Sequence, residues 1–151
     1  MTRRPIIAGN IKMFLTIESA LELFKGVWSG LSGDEACEAI YFPPATIVPD
    51  AVRLLRGSPI EIGGQHMHWE LEGAFTGEIS PRMLLNAGCR WVLIGHSERR
   101  TLFGESDEHV NRKTKSALEH GLKPVVCIGE TLGERESDRT EAVLRRQLAD
   151  G

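Results

Sequence analysis

Trp91-Val92-Leu93-Ile94-Gly95-His96-Ser97-Glu98-Arg99-Arg100 is the stretch on which the reading of this chain turns. Its first four residues are an unbroken apolar run, the pattern of a short strand buried on both faces in a parallel sheet. The run stops at a glycine, and a histidine, a serine, a glutamate and two arginines follow at once. A strand that delivers titratable groups at its C-terminal end is how α/β folds build active sites. The competing reading is a satisfied structural histidine followed by solvated charges. The rest of the chain decides between the two.

Outward from this stretch, one unit repeats. Before it, Ser80-Pro81 reads as an N-cap followed by proline at the first helical position, and Gly88 closes that helix. Ile60-Glu61-Ile62 is a short strand, preceded by a helix from about Thr46 to Arg56 with Gly57 as its stop signal. Glu38 to Phe42 is a strand stopped by Pro43-Pro44. Thr16 to Leu31 carries apolar residues at close to helical period and ends in a Gly/Ser-rich loop. Arg4 to Ala8 is the first strand, closing on Gly9-Asn10. After the central stretch, Ser106-Asp107-Glu108 supplies a cap and first-turn acids for a helix ending at Gly121. Lys123 to Ile128 is a fifth strand running into Gly129-Glu130, and a charged helix from about Asp138 to Ala149 follows.

Strands thus begin near positions 5, 38, 60, 90 and 123, each followed by a helix, with no linker between them. The sequence predicts one α/β domain over residues 1–151, with parallel strands and right-handed crossovers. A doubly wound sheet wants a glycine fingerprint after its first strand, and Gly9-Asn10-Ile11-Lys12 is not one. A (β/α)8 barrel needs eight units, of which five are present here, so the barrel reading is of an incomplete one.

Apolar content of 41% and charged content of 26% are those of an ordinary globular protein. The net charge of −3 argues against nucleic acid or anionic membrane as a partner. No apolar run approaches the ~20 residues that span a bilayer. The N-terminus carries too short an apolar stretch for a signal peptide. Cys37, Cys89 and Cys127 are odd in number and lack paired spacing, so reduced thiols in a cytoplasmic protein are expected.

Four segments together resemble the triose-phosphate isomerase family: Gly9-Asn10-Ile11-Lys12-Met13, Gly73-Ala74-Phe75-Thr76-Gly77-Glu78-Ile79-Ser80, Ile94-Gly95-His96-Ser97-Glu98-Arg99-Arg100, and Cys127-Ile128-Gly129-Glu130-Thr131. They stand in the family's order and at its spacing, over the first five of its eight βα units. The resemblance implies interconversion of dihydroxyacetone phosphate and glyceraldehyde 3-phosphate through an enediol, without cofactor or metal. It makes Asn10 and Lys12 substrate-binding residues, with Lys12 holding the anionic triose phosphate. It makes His96 the catalytic electrophile, with Glu98 a supporting carboxylate paired to the lysine. The family is itself the standard example of a neutral histidine electrophile, so that role is carried over from the resemblance. Cys127 resembles a cysteine that packs behind the site. The third loop, with Gln65, Phe75, Thr76, Gly77 and Glu78, is the one through which the family forms a homodimer, and its apolar Met67, Trp69, Leu71, Ala74 and Phe75 need cover.

The chain also departs from the family. Ile11 stands where tryptophan is usual, Phe14 where a polar residue is usual, and His66 where asparagine is expected. The family's catalytic glutamate, its closing lid and its main phosphate-binding residues come from later units, so these residues are expected to be inactive alone. Two other readings stay open at this point. One is a non-catalytic half-barrel that self-associates through open strand edges as a structural or binding module. The other is a metal site at His66-x-His68-x-Glu70, against which stand two solvated loop histidines.

Overall fold

The computed structural model describes residues 3–32 and 36–151, so the end of the Gly/Ser-rich loop after the first helix lies outside them. Five strands alternate with helices: β1 (Ile6–Asn10), α1 (Ile17–Ser29), β2 (Glu38–Phe42), α2 (Val48–Leu54), β3 (Ile60–Gly64), α3 (Pro81–Asn86) and β4 (Trp91–Ile94). Then come α4 (Ser97–Phe103), α5 (Asp107–Glu119), β5 (Lys123–Val126), α6 (Leu132–Glu136) and α7 (Thr140–Asp150). All pairings are parallel and the sheet order is β1-β2-β3-β4-β5. A doubly wound sheet would reverse its strand order at a switch point. An order that never reverses is the winding of a barrel, as expected.

Local chemistry sets the boundaries. Thr16 and Ser106 cap α1 and α5 with reciprocal side-chain bonds, and the Ser80 hydroxyl accepts from the Met83 amide at 3.2 Å. The strand Trp91–Ile94 matches its expected limits and is buried throughout. β3 runs two residues longer than expected, through Gly63 and Gly64. β5 ends two residues earlier, at Val126. α4 and α6 were not expected as helices.

Strand register divides the side chains between two faces. Ile60, Ile62, Val92 and Ile94 pack with Phe24, Ala51, Leu84 and Val110 of the helices in the main core. On the other face Ile40, Phe42, Trp91 and Leu93 pack on one another, with Val125 and Cys127 beside them. Asn10 lies opposite Phe42 in the register and shares that second face. This inner face leads upward to the loops after β1, β3 and β4, where the expected site residues sit.

Candidate functional site

Strand alternation alone would not bring the histidine to the cleft. Trp91 and Leu93 face inward, so Gly95 would follow them and His96 would point outward. Gly95 breaks the alternation by adopting a left-handed φ of +71°, a region that glycine enters without steric cost. His96 then caps α4: its Nδ1 accepts from the Glu98 amide at 3.2 Å. With Nδ1 an acceptor, the neutral ring carries its proton on Nε2, a tautomer assigned from this donor. The imidazole is thereby left with an N–H to offer a ligand. The 3.4 Å approach of Nδ1 to Glu98 Oε2 is no ion pair in that tautomer.

Lys12 reaches the same place from β1. Its backbone is also left-handed, at φ 54°, which costs a non-glycine residue about 1–2 kcal/mol. Asn10 Oδ1 accepts from the Lys12 amide at 2.9 Å, and Gln65 Nε2 donates to Lys12 O and to Phe42 O, each at 2.8 Å. These contacts hold the turn. Lys12 Nζ then lies 2.6 Å from Glu98 Oε1. That hydrogen bond is the chief reason the Glu98 carboxyl is held below its ordinary range. Asn10, Lys12, Gln65, His66, His96 and Glu98 share one cleft of about 220 Å³.

Beneath the cleft lies a buried ion cluster that the sequence did not announce. Glu105, with its side chain 3% exposed, takes Lys113 Nζ at 2.6 Å and Arg99 Nε at 3.1 Å on separate oxygens. Both oxygens of the buried carboxylate are thereby used, as burial of a charge demands. His66 extends the cluster, with Nδ1 3.5 Å from Lys113 Nζ and Nε2 3.1 Å from Glu78 Oε2. Burial, and then the charges of Arg99 and Lys113, push its pKa down to about 3, so His66 is neutral at ordinary pH. Residues 99, 105 and 113 come from different elements, and no local spacing links them.

The third loop is packed onto α5. Phe75 stacks on His68 at 4.1 Å, His68 on Trp69 at 4.2 Å, and Trp69 on His109 at 5.4 Å. Met67 is fully buried, whereas Phe75 and Leu71 remain exposed with Thr76 and Gly77. The two loop histidines are therefore not solvated, contrary to expectation. The alternative metal site at His66, His68 and Glu70 fares no better: His68 Nδ1 accepts from the Glu70 amide, and no cluster of three or more metal-ligating side chains occurs among the described residues. A wider groove of about 790 Å³ lies between this loop and α5, where Arg82, Arg112 and Lys115 are balanced by Glu70, Glu72 and Glu119. Cys127 sits behind the cleft with its thiol pushed up, mainly by burial, and so stays protonated as a packing residue would.

Parallel βα units with an oriented imidazole and a cation at the carboxyl ends of their strands define a class, the barrel enzymes that place chemistry at that face. Comparison with known proteins gives the family. The family model for triosephosphate isomerase matches residues 5–151. Curated triosephosphate isomerases of Citrifermentans bemidjiense and Chloroflexus aurantiacus are 50% and 47% identical, over 99% and 97% of this chain. The crystal structure of triosephosphate isomerase from Bartonella henselae superposes with a TM-score of 0.93 at 44% identity, covering 98% of this chain and 61% of that one. The chain belongs to the triosephosphate isomerase family, and its five strands form part of that barrel. It spans 59% and 58% of the length of the two curated relatives.

Proposed function

We propose that these residues supply the electrophile and the substrate lysine of a triosephosphate isomerase acting in the cytoplasm. The observation that carries the proposal is the pairing in one cleft of a His96 ring whose Nδ1 is already satisfied and a Lys12 ammonium 2.6 Å from Glu98. The Nε2–H is free to hydrogen-bond a substrate carbonyl, and that bond strengthens as negative charge grows on the oxygen toward the enediolate. Lys12 holds the phosphate dianion electrostatically, and Asn10 and Gln65 fix its backbone in the turn that aims it. Glu98 anchors the lysine when no substrate is bound. No step of this scheme uses a metal or an organic cofactor.

Proton abstraction from carbon needs a base placed against the substrate. In the family that base is a glutamate on a later unit, so activity belongs to the complete barrel. The partner is a second copy, met through Phe75, Thr76, Gly77 and Glu78, and the exposure of Phe75 and Thr76 supports this reading. No helix among the described residues is long and apolar enough to cross a membrane.

The test is an isomerase assay on the purified chain and on the same residues joined to a complete barrel. The chain alone should give no turnover above buffer, since losing a placed base costs roughly 10²–10⁴-fold. Turnover that tracked with the 151-residue polypeptide through purification would overturn that part. In the complete barrel, His96→Ala should lower kcat far more than it raises KM. Near-normal kcat in that variant would remove His96 from the chemistry. A large native particle with no turnover in either form would favour the non-catalytic, self-associating module.

A further inference from the structure

The turn that aims His96 is gripped by a side chain that does not line the cleft. Arg100, on the first turns of α4, folds back so that its Nε donates to Gly95 O at 2.8 Å. Its Nη2 points to Cys127 O at 3.5 Å, just past the end of β5. Its Nη1 pairs with Asp107 Oδ1 at 2.5 Å, and the other Asp107 oxygen accepts from Arg146 Nε of α7 at 3.0 Å. The Arg100 side chain is only 16% exposed. Burial would push the Asp107 carboxyl up, yet the hydrogen bonds from Arg100 and Arg146 outweigh it and hold the carboxyl below its ordinary range.

The left-handed glycine leaves the direction of the next residue to whatever fixes its carbonyl. The helix side of the turn is secured by the Arg99 and Arg100 amides, which donate to His96 O at 2.8 and 3.1 Å. On the strand side, Gly95 O is held by Arg100. A planar guanidinium has donors in fixed directions and can meet a carbonyl on β4, a carbonyl after β5 and a carboxylate on α5 together; an ammonium cannot.

We propose that Arg100 is a positioning residue that sets the direction of the His96 ring through the Gly95 carbonyl. Its kinetic consequence rests on the proposed isomerase reading, but the placement of the ring can be read without turnover. The protein is labelled with ¹⁵N-histidine, and the His96 nitrogens are assigned by their loss in His96→Gln. The unsubstituted protein should show one neutral tautomer, protonated at Nε2. Arg100→Lys should give a mixture of tautomers, while Asp107→Asn, which keeps the bond to Gly95 O, and the control Arg135→Lys on an exposed ion pair should not. A single unchanged tautomer in Arg100→Lys would overturn the proposal. So would equal disturbance in Asp107→Asn, which would mean general loosening.

Should Arg100→Lys fail to fold, the unsubstituted protein still decides. Its Arg100 Nε–H should exchange slowly with solvent, and free exchange would sink the assignment. Joined to a complete barrel, Arg100→Lys should lower kcat roughly tenfold or more with KM within about twofold, as a misaimed group does. A complete barrel without any isomerase turnover would end the functional proposal, while the nitrogen spectra would still judge Arg100.

Discussion

β4 comes to the cleft from the middle of the sheet, with all four residues buried between β3 and β5. β1 comes from the edge, with Ile6 48% and Ile7 66% exposed. Both strands end in a left-handed turn, one at Gly95 and one at Lys12. In the crowded centre a Cβ at Gly95 would lie 2.9 Å from Val110 Cγ2 and 3.3 Å from Cys127 O, so only glycine fits. At the open edge there is room for a side chain, so Lys12, the cation of the cleft, itself occupies the strained position. Asn10 and Gln65 offset the strain with hydrogen bonds. Packing decides which residue type may take a given backbone conformation.

The hardest blow to this contrast falls on the buried arm. Gly95→Ala should destabilise the protein by about 2–4 kcal/mol, combining left-handed strain with the Val110 contact. Urea denaturation would measure it, and a loss below about 1 kcal/mol would mean that the turn does not depend on glycine.

His66 lines the cleft that both arms reach and ties α5 to the third loop through Lys113 and Glu78, and acid should reveal it. The folded-state pKa of His66, about 3, lies below its ordinary 6.5. The unfolded chain therefore binds the extra proton first as pH falls. Stability relative to neutral pH is untouched above about 6.5 and is lost progressively down to about 3, by on the order of a few kcal/mol. His66→Asn should flatten the melting temperature across that window and leave it near the parent value at pH 7. Parallel acid limbs for the two proteins would show that His66 does not stay neutral in the fold.

The smallest effect is expected at the edge. Lys12→Gly removes the strain but also a solvent-screened, exposed ion pair of little worth, and it adds freedom to the unfolded chain. Stability should move by less than about 1 kcal/mol. The Glu98 carboxyl, released from its main hydrogen bond, should titrate nearer its ordinary range by NMR. A loss above about 2 kcal/mol would make Lys12 a structural residue and erase the difference between the arms.

How far the sequence could be read follows from the same physics. β4 was legible to the residue because both of its faces are buried and a glycine ends it. The last two residues of β3 were not, because Gly63 and Gly64 carry no side chain to show a pattern. α4 escaped notice because none of its residues is buried; it is held by the His96 cap and by ion pairs, which leave no apolar period. α6 did carry a signal, the Thr131-x-x-Glu134 capping box, with the Thr131 amide donating to Glu134 Oε2 at 2.8 Å. Lys12, His96 and Glu98 were expected together and stand together. Gln65 was read as part of the dimer loop, and nothing local shows that its amide reaches back to Lys12 O. Contacts between residues 53 positions apart are a property of the barrel's winding.

Gly63 also bears on how this protein can vary. A Cβ built there would fall 2.5 Å from the Phe42 ring and 2.8 Å from Trp91 O. The aromatic ring on β2 takes only part of that space, and the backbone carbonyl of Trp91 takes the rest. Randomised singly, positions 42 and 63 should each look nearly immutable. Randomised as a pair, they should gain little, because a smaller residue at 42 leaves the Trp91 carbonyl against any Cβ at 63, so the β3–β4 pairing itself reserves that position for glycine.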